Sequence, residues 1–102
     1  MYPVPHLETL DFYQRGMSLA EIAEKRSMRE NTIFDHLLKL MECGYEVKID
    51  RIVAPEKVTI IEQAIATVGA ERLTPIKAHL GDDYSYEEIK IVRARMNLTA
   101  RG

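Results

Sequence analysis

Apolar residues in this chain recur at helical rather than alternating spacing. Between Glu30 and Cys43 they fall at Ile33, Leu37, Leu40 and Met41, an i, i+4, i+7, i+8 series that gathers them on one side of a helix. Phe34 and Leu38 widen that stripe, so this helix is expected to be contacted on more than one side. The same spacing predicts a helix from about His6 to Arg15, carried by Leu7, Leu10 and Tyr13, and another from Leu19 to Arg26, carried by Leu19, Ile22 and Ala23. Further on it predicts helices from Pro55 to Val68 (Val58, Ile61, Ile65, Val68), from Thr74 to Leu80, and after Ser85 (Ile89, Val92, Met96). The exception is Tyr45 to Asp50, where Tyr, Val and Ile alternate with Glu, Lys and Asp as in a short half-buried extended segment. No turn and return strand fit before Pro55, so it is too short for a two-stranded wing.

The punctuation agrees with the periodicity. Ser18 to Glu21 and Ser85 to Glu88 have capping-box spacing, in which serine and glutamate satisfy each other's backbone donors. Gly16, Gly44, Gly69 and Gly81 stand where four of the helices should stop, and Pro55 suits a first helical position. The expected architecture is therefore all-α: about six helices, with a helix-turn-helix core and a C-terminal helical extension. Residues 6–97 are expected to form a single domain, with flexible ends at 1–5 and 98–102.

Composition changes this picture mainly by exclusion. The chain has 102 residues, 46% hydrophobic and 29% charged, which is ordinary for one folded domain. No apolar run approaches the roughly 20 residues of a membrane span, and the N-terminal residues lack a signal peptide's basic-then-apolar order. A cytoplasmic location is expected. Cys43 is the single cysteine and can form no internal disulfide. His6, His36 and His79 fall in three separate elements without ligand spacing, so no metal site is expected. Asp82-Asp83 and Glu87-Glu88 read as capping and helix-dipole residues rather than catalytic pairs. With no glycine-rich phosphate loop either, neither enzyme activity nor a cofactor is expected of this chain.

The informative stretch is Ser18 to Leu37. A helix-turn-helix needs a small residue where its second helix crosses the first, and Ala23 meets that need. It needs a short turn, Ser27 to Arg29, and then a second helix with a polar start and an apolar rear, Ile33 and Leu37. If that helix enters a major groove, its outward residues are Arg29, Glu30, Asn31, Thr32, Asp35 and Lys39. Arginine can pair with guanine and asparagine with adenine. Thr32, Arg26 and Lys25 are candidates for phosphate, and an exposed Phe34 could stack on an unpaired base. The best candidates for DNA contact are Arg26, Arg29, Asn31, Thr32 and Lys39.

Charge tempers this expectation. The net charge is −2, and residues 24–51 carry six basic side chains (Lys25, Arg26, Arg29, Lys39, Lys48, Arg51) against six acidic ones (Glu24, Glu30, Asp35, Glu42, Glu46, Asp50). Counterion release supplies most non-specific affinity, so a neutral face predicts weak DNA binding by the domain alone. A second basic group, Lys90, Arg93, Arg95 and Arg101, lies near the C-terminal end, where the helix dipole also accounts for it.

The motif sits in a wider resemblance. Glu8-Thr9-Leu10 with Gly16, the run Ser18 to Ala23, Arg26, and Asn31-Thr32-Ile33 to His36-Leu37 resemble the helix-turn-helix domain at the extreme C-terminus of some bacterial RecQ-type DNA helicases. Ile49-Asp50, Leu73 with Pro75-Ile76-Lys77, and Ser85-Tyr86-Glu87-Glu88-Ile89 are similar to that family too, so the resemblance runs from about His6 to Met96. It implies a non-catalytic accessory module of an ATP-dependent 3′-to-5′ DNA helicase acting in recombination and repair. The ATP site and motor would lie in upstream domains of the parent chain, and the module would guide that motor to single-stranded or forked DNA, nucleoid-associated when bound. Two other readings stay open: a protein-interaction module using the motif as scaffold, with a protein partner in place of DNA, and a free-standing transcription regulator.

Overall fold

In a computed structural model of the chain, residues 4–101 are described, with the side chains of residues 6–97. The described residues form six α-helices and no strand: α1 Val4–Gln14, α2 Leu19–Arg26, α3 Glu30–Glu42, α4 Pro55–Val68, α5 Leu73–Leu80 and α6 Tyr86–Arg101. The chain divides between Val47 and Lys48 into two compact units. The ends expected to be flexible, 1–5 and 98–102, lie outside the residues whose side chains are described.

In the first unit α1 and α2 both pack on α3 and touch each other. Its buried apolar residues are Leu10, Tyr13, Ile22, Ala23, Ile33, Phe34, Leu37, Leu40, Met41 and Val47. The Ser18 hydroxyl accepts from the Glu21 amide at 3.1 Å while the Glu21 carboxylate accepts from the Ser18 amide at 2.9 Å, so the capping box forms in both directions. Hydrogen bonds from the Ser18 amide first, and from the Ser18 side chain second, hold the Glu21 carboxyl below its ordinary range. At the other end of α3, Gly44 adopts φ +97°, a left-handed backbone that lets the chain leave the helix.

In the second unit α4, α5 and α6 each pack on the other two, around Val58, Ile61, Ala64, Ile65, Ile76, Ile89, Ile91 and Val92. Ser85 and Glu88 form the second capping box, at 2.9 and 3.1 Å. Two expectations need correction. Val68 was placed on the inner face of α4, yet it is 38% exposed. It is the last helical residue and lines an open hollow with Gly69, Ala70, Glu71, Arg72 and Pro75. Ile91, outside the predicted stripe of α6, is fully buried, whereas Met96 at the helix's far end is only half-buried. Between α3 and α4, Glu46, Lys48 and Asp50 are exposed while Val47 and Ile49 are buried, the predicted alternation without a ladder partner.

Candidate nucleic-acid interface

The turn between α2 and α3 sets the geometry. Ser27 takes a left-handed conformation, φ 55° and ψ 45°, and the Met28 amide then reaches back to the Ala23 carbonyl at 2.9 Å. This closes α2 and redirects the chain through extended Arg29 (φ −80°, ψ 150°) into α3. Ala23 is buried at the crossing, as a close helix approach requires.

On α3 the buried side carries Ile33, Phe34, His36, Leu37, Leu40 and Met41, and the opposite side is wet. Asn31, Asp35 and Lys39 recur at i, i+4, i+8 along that exposed side, with Thr32 beside them. Arg29 and Glu30 are exposed at the helix start, and the Arg29 side chain makes no capping bond. The structure therefore gathers four of the five candidate DNA contacts, Arg29, Asn31, Thr32 and Lys39, on one accessible surface. Asp35 lies in the middle of that stripe, with Glu42 also exposed at the end of the helix.

Arg26 departs from expectation. It was expected to face a phosphate, but its side chain is only 10% exposed and turns inward. Its Nη1 donates to Thr9 Oγ1 at 2.6 Å and its Nη2 pairs with the Glu8 carboxylate at 3.2 Å. Lys25, the neighbouring candidate, lies 5.6 Å from the centroid of the Phe12 ring. Phe34 is 7% exposed and so is withdrawn from any base-stacking role. The C-terminal basic group is also engaged: Arg95 pairs with Glu62 at 3.1 Å and Arg93 reaches the Ala70 carbonyl at 3.4 Å, while the Arg101 side chain lies outside the described residues. Glu88, one of the adjacent carboxylates, serves its capping box and Lys57.

A cluster that sequence reasoning missed lies on the buried side of the same unit. The His6 and His36 rings, assigned to separate elements, stack with centroids 4.0 Å apart at an interplanar angle of 29°. Thr9, fully buried, lies 2.8 Å from His36 Nδ1 through its hydroxyl. Both imidazoles are held below the ordinary histidine range. For His36 the causes are burial, then His6 and Arg26, partly opposed by Asp35; for His6 they are burial, then Arg26 and Lys39. No group of three His, Cys, Asp or Glu side chains that could hold a metal ion occurs among the described residues. Nor is any helix among them long and apolar enough to cross a membrane.

A left-handed closure of α2, a small residue at the crossing and a second helix with an exposed polar start define a helix-turn-helix module. The chain belongs to a family described as helix-turn-helix domain, whose model matches residues 5–93 and so takes in nearly all of the six helices. That membership suggests a nucleic-acid-binding or regulatory role and is compatible with DNA as a partner. No curated protein and no solved structure matches the chain.

Proposed function

We propose that this chain is a non-catalytic accessory domain of an ATP-dependent RecQ-type DNA helicase, contacting DNA weakly and without sequence preference through the start of α3. The observation that carries this reading is the exposure of Arg29, Asn31, Thr32 and Lys39 on one side of the second helix of the motif. The resemblance between His6 and Met96 supplies the parent. On this reading the ATP-driven motor lies in upstream domains of the same protein, in a cytoplasmic, nucleoid-associated complex acting in recombination and repair. Because Arg26 is spent internally, only Arg29 and Lys39 are available to neutralise phosphates from this helix. Two phosphate contacts predict a slope of log affinity against log salt of about −1.8, or roughly a tenfold loss between 50 and 200 mM salt.

Fluorescence anisotropy with labelled single-stranded, duplex and forked DNA tests this directly. Arg29→Glu with Lys39→Glu should abolish binding, whereas Asp35→Asn should strengthen it by removing a carboxylate from the middle of the contact stripe. Unchanged affinity in both variants would remove α3 as the DNA contact.

A second reading is favoured by the same stripe. Asp35, Glu30 and Glu42 leave the exposed side of α3 without a basic excess, which suits a protein partner better than a polyanion. Salt-resistant capture of a partner, lost on mutation of Asn31 and Lys39, would support it. A free-standing transcription regulator would need a sequence-specific site and, usually, a dimer.

A further inference from the structure

The polar cluster beneath α3 has a proton chemistry that the DNA reading does not use. Arg26 can only donate, and its bond to Thr9 Oγ1 at 2.6 Å occupies one lone pair of that oxygen. Thr9 then has its own proton to give, and His36 Nδ1 at 2.8 Å can accept it only while unprotonated. In that state the relay from Arg26 through Thr9 to His36 gives the Thr9 hydroxyl hydrogen an acceptor. A proton on His36 Nδ1 reverses the last step. Two cationic donors would then converge on one hydroxyl oxygen, and the hydroxyl hydrogen would lose its acceptor.

His6 is under a parallel constraint. Its Nδ1 is buried without a hydrogen-bond partner among the described residues. A proton there would be a buried donor with no acceptor among the described residues, which costs more than a lone pair left unused. The two rings are stacked 4.0 Å apart, so charging both would also set like charges face to face.

We propose that His6 and His36 form a proton-sensitive latch, which holds α1 against α3 while both imidazoles are neutral and releases it on acidification. The charged groups around the pair act mostly in that sense. From α1, Glu8 is spent on Arg26; from α2 comes Arg26 itself; and α3 contributes Lys39 and Asp35. Arg26 and Lys39 disfavour a further cation, and Asp35 alone favours one, on His36, from an exposed position.

The sign follows from linkage. Both rings hold protons less tightly when folded than when unfolded, because of burial first, and then of His6 and Arg26 beside His36 and of Arg26 and Lys39 beside His6. Their contribution to stability is therefore complete above the unfolded histidine value, near 6.5, and is lost as pH falls below it.

The test uses the full chain. Imidazole signals of His6 and His36 are followed by NMR from pH 8 to pH 5, with His79, exposed on α5, in the same spectra. Melting temperature is compared at pH 8 and pH 5.5 for the wild type and for the His6→Gln, His36→Gln double variant. The expected result is that both rings titrate below the ordinary histidine range and that α1 amide dispersion collapses as they do. Wild-type melting temperature should fall by several degrees on acidification, and the double variant should lose most of that fall. The latch is overturned if either ring titrates at or above the ordinary range, or if the double variant keeps the wild-type slope. Should the double variant not fold, the wild-type titration decides by itself.

Discussion

Truncating Arg26 to alanine should destabilise the first helical unit by about 2 kcal/mol, most of it from one hydrogen bond. The guanidinium is nine-tenths buried, and its bond to Thr9 joins a charged donor to a neutral acceptor at 2.6 Å. Bonds of that type contribute roughly 1.5–3 kcal/mol. The pairing with Glu8 adds little, on the order of 0.5 kcal/mol, because the Glu8 side chain is 64% exposed and regains water when the partner goes. One effect holds the loss toward the lower end: Thr9 keeps His36 as a partner, so no buried hydroxyl is orphaned.

The assay is urea and thermal unfolding of the full chain followed by far-UV circular dichroism, where a loss of about 2 kcal/mol corresponds to roughly 10 °C. Arg26→Met should cost nearly as much, since it keeps the buried stem but loses the polar contacts that carry most of the loss. Arg29→Ala, whose side chain is exposed, should stay within about 0.5 kcal/mol of wild type. An Arg26→Ala variant as stable as wild type but deficient in DNA binding would refute the reasoning, because it would place the guanidinium on a phosphate rather than on Thr9.

Other substitutions probe the frame around the motif. Ser27→Gly should raise stability by up to about 1 kcal/mol, read as a shifted urea midpoint, because φ 55° costs serine what it does not cost glycine. Ser18→Ala, which removes one half of the first capping box, should lower stability by about 1 kcal/mol in the same assay. Glu62→Ala, which breaks the half-exposed pair with Arg95, should cost under about 1 kcal/mol, and a larger loss would show that the pair is better shielded than its exposure indicates.

The elements were legible because their signals are local. Ser18 with Glu21, Ser85 with Glu88, and the glycines after α1, α3, α4 and α5 act within a turn of where they stand, and each appears where the spacing put it. The exposed stripe of α3 was legible for the same reason, since helical periodicity alone sorts Asn31, Thr32, Asp35 and Lys39 from Ile33 and Leu37. What could not be read were facts of long-range contact. His6 and His36 lie 30 positions apart in sequence, and neither carries a mark that their rings will stack. Arg26 looks like any basic residue completing a helix C-terminus; only the arrival of Thr9 and Glu8 from α1 turns it inward. Thr9 itself carried weight only as part of a resemblance, although it is the fully buried oxygen on which Arg26 and His36 meet.

The withdrawal of Arg26 also bears on how such a domain could serve a motor. With Arg29 and Lys39 as the outward cations of the motif's second helix, affinity of the isolated chain should fall at the weak end of non-specific binding, a Kd on the order of 10⁻⁴ M at physiological salt. For a free-standing regulator that would be disabling, because competing genomic sites would outnumber its target. For a module tethered to a helicase already on DNA it is sufficient. The tether supplies an effective concentration in the millimolar range, about tenfold above that Kd, so the module would be engaged most of the time and still release within each advance of the motor. Tight binding would instead anchor the enzyme in place. Weak affinity and a neutral face are thus what an accessory role requires, and a Kd in the nanomolar range for the isolated chain would argue against that role as firmly as no binding at all.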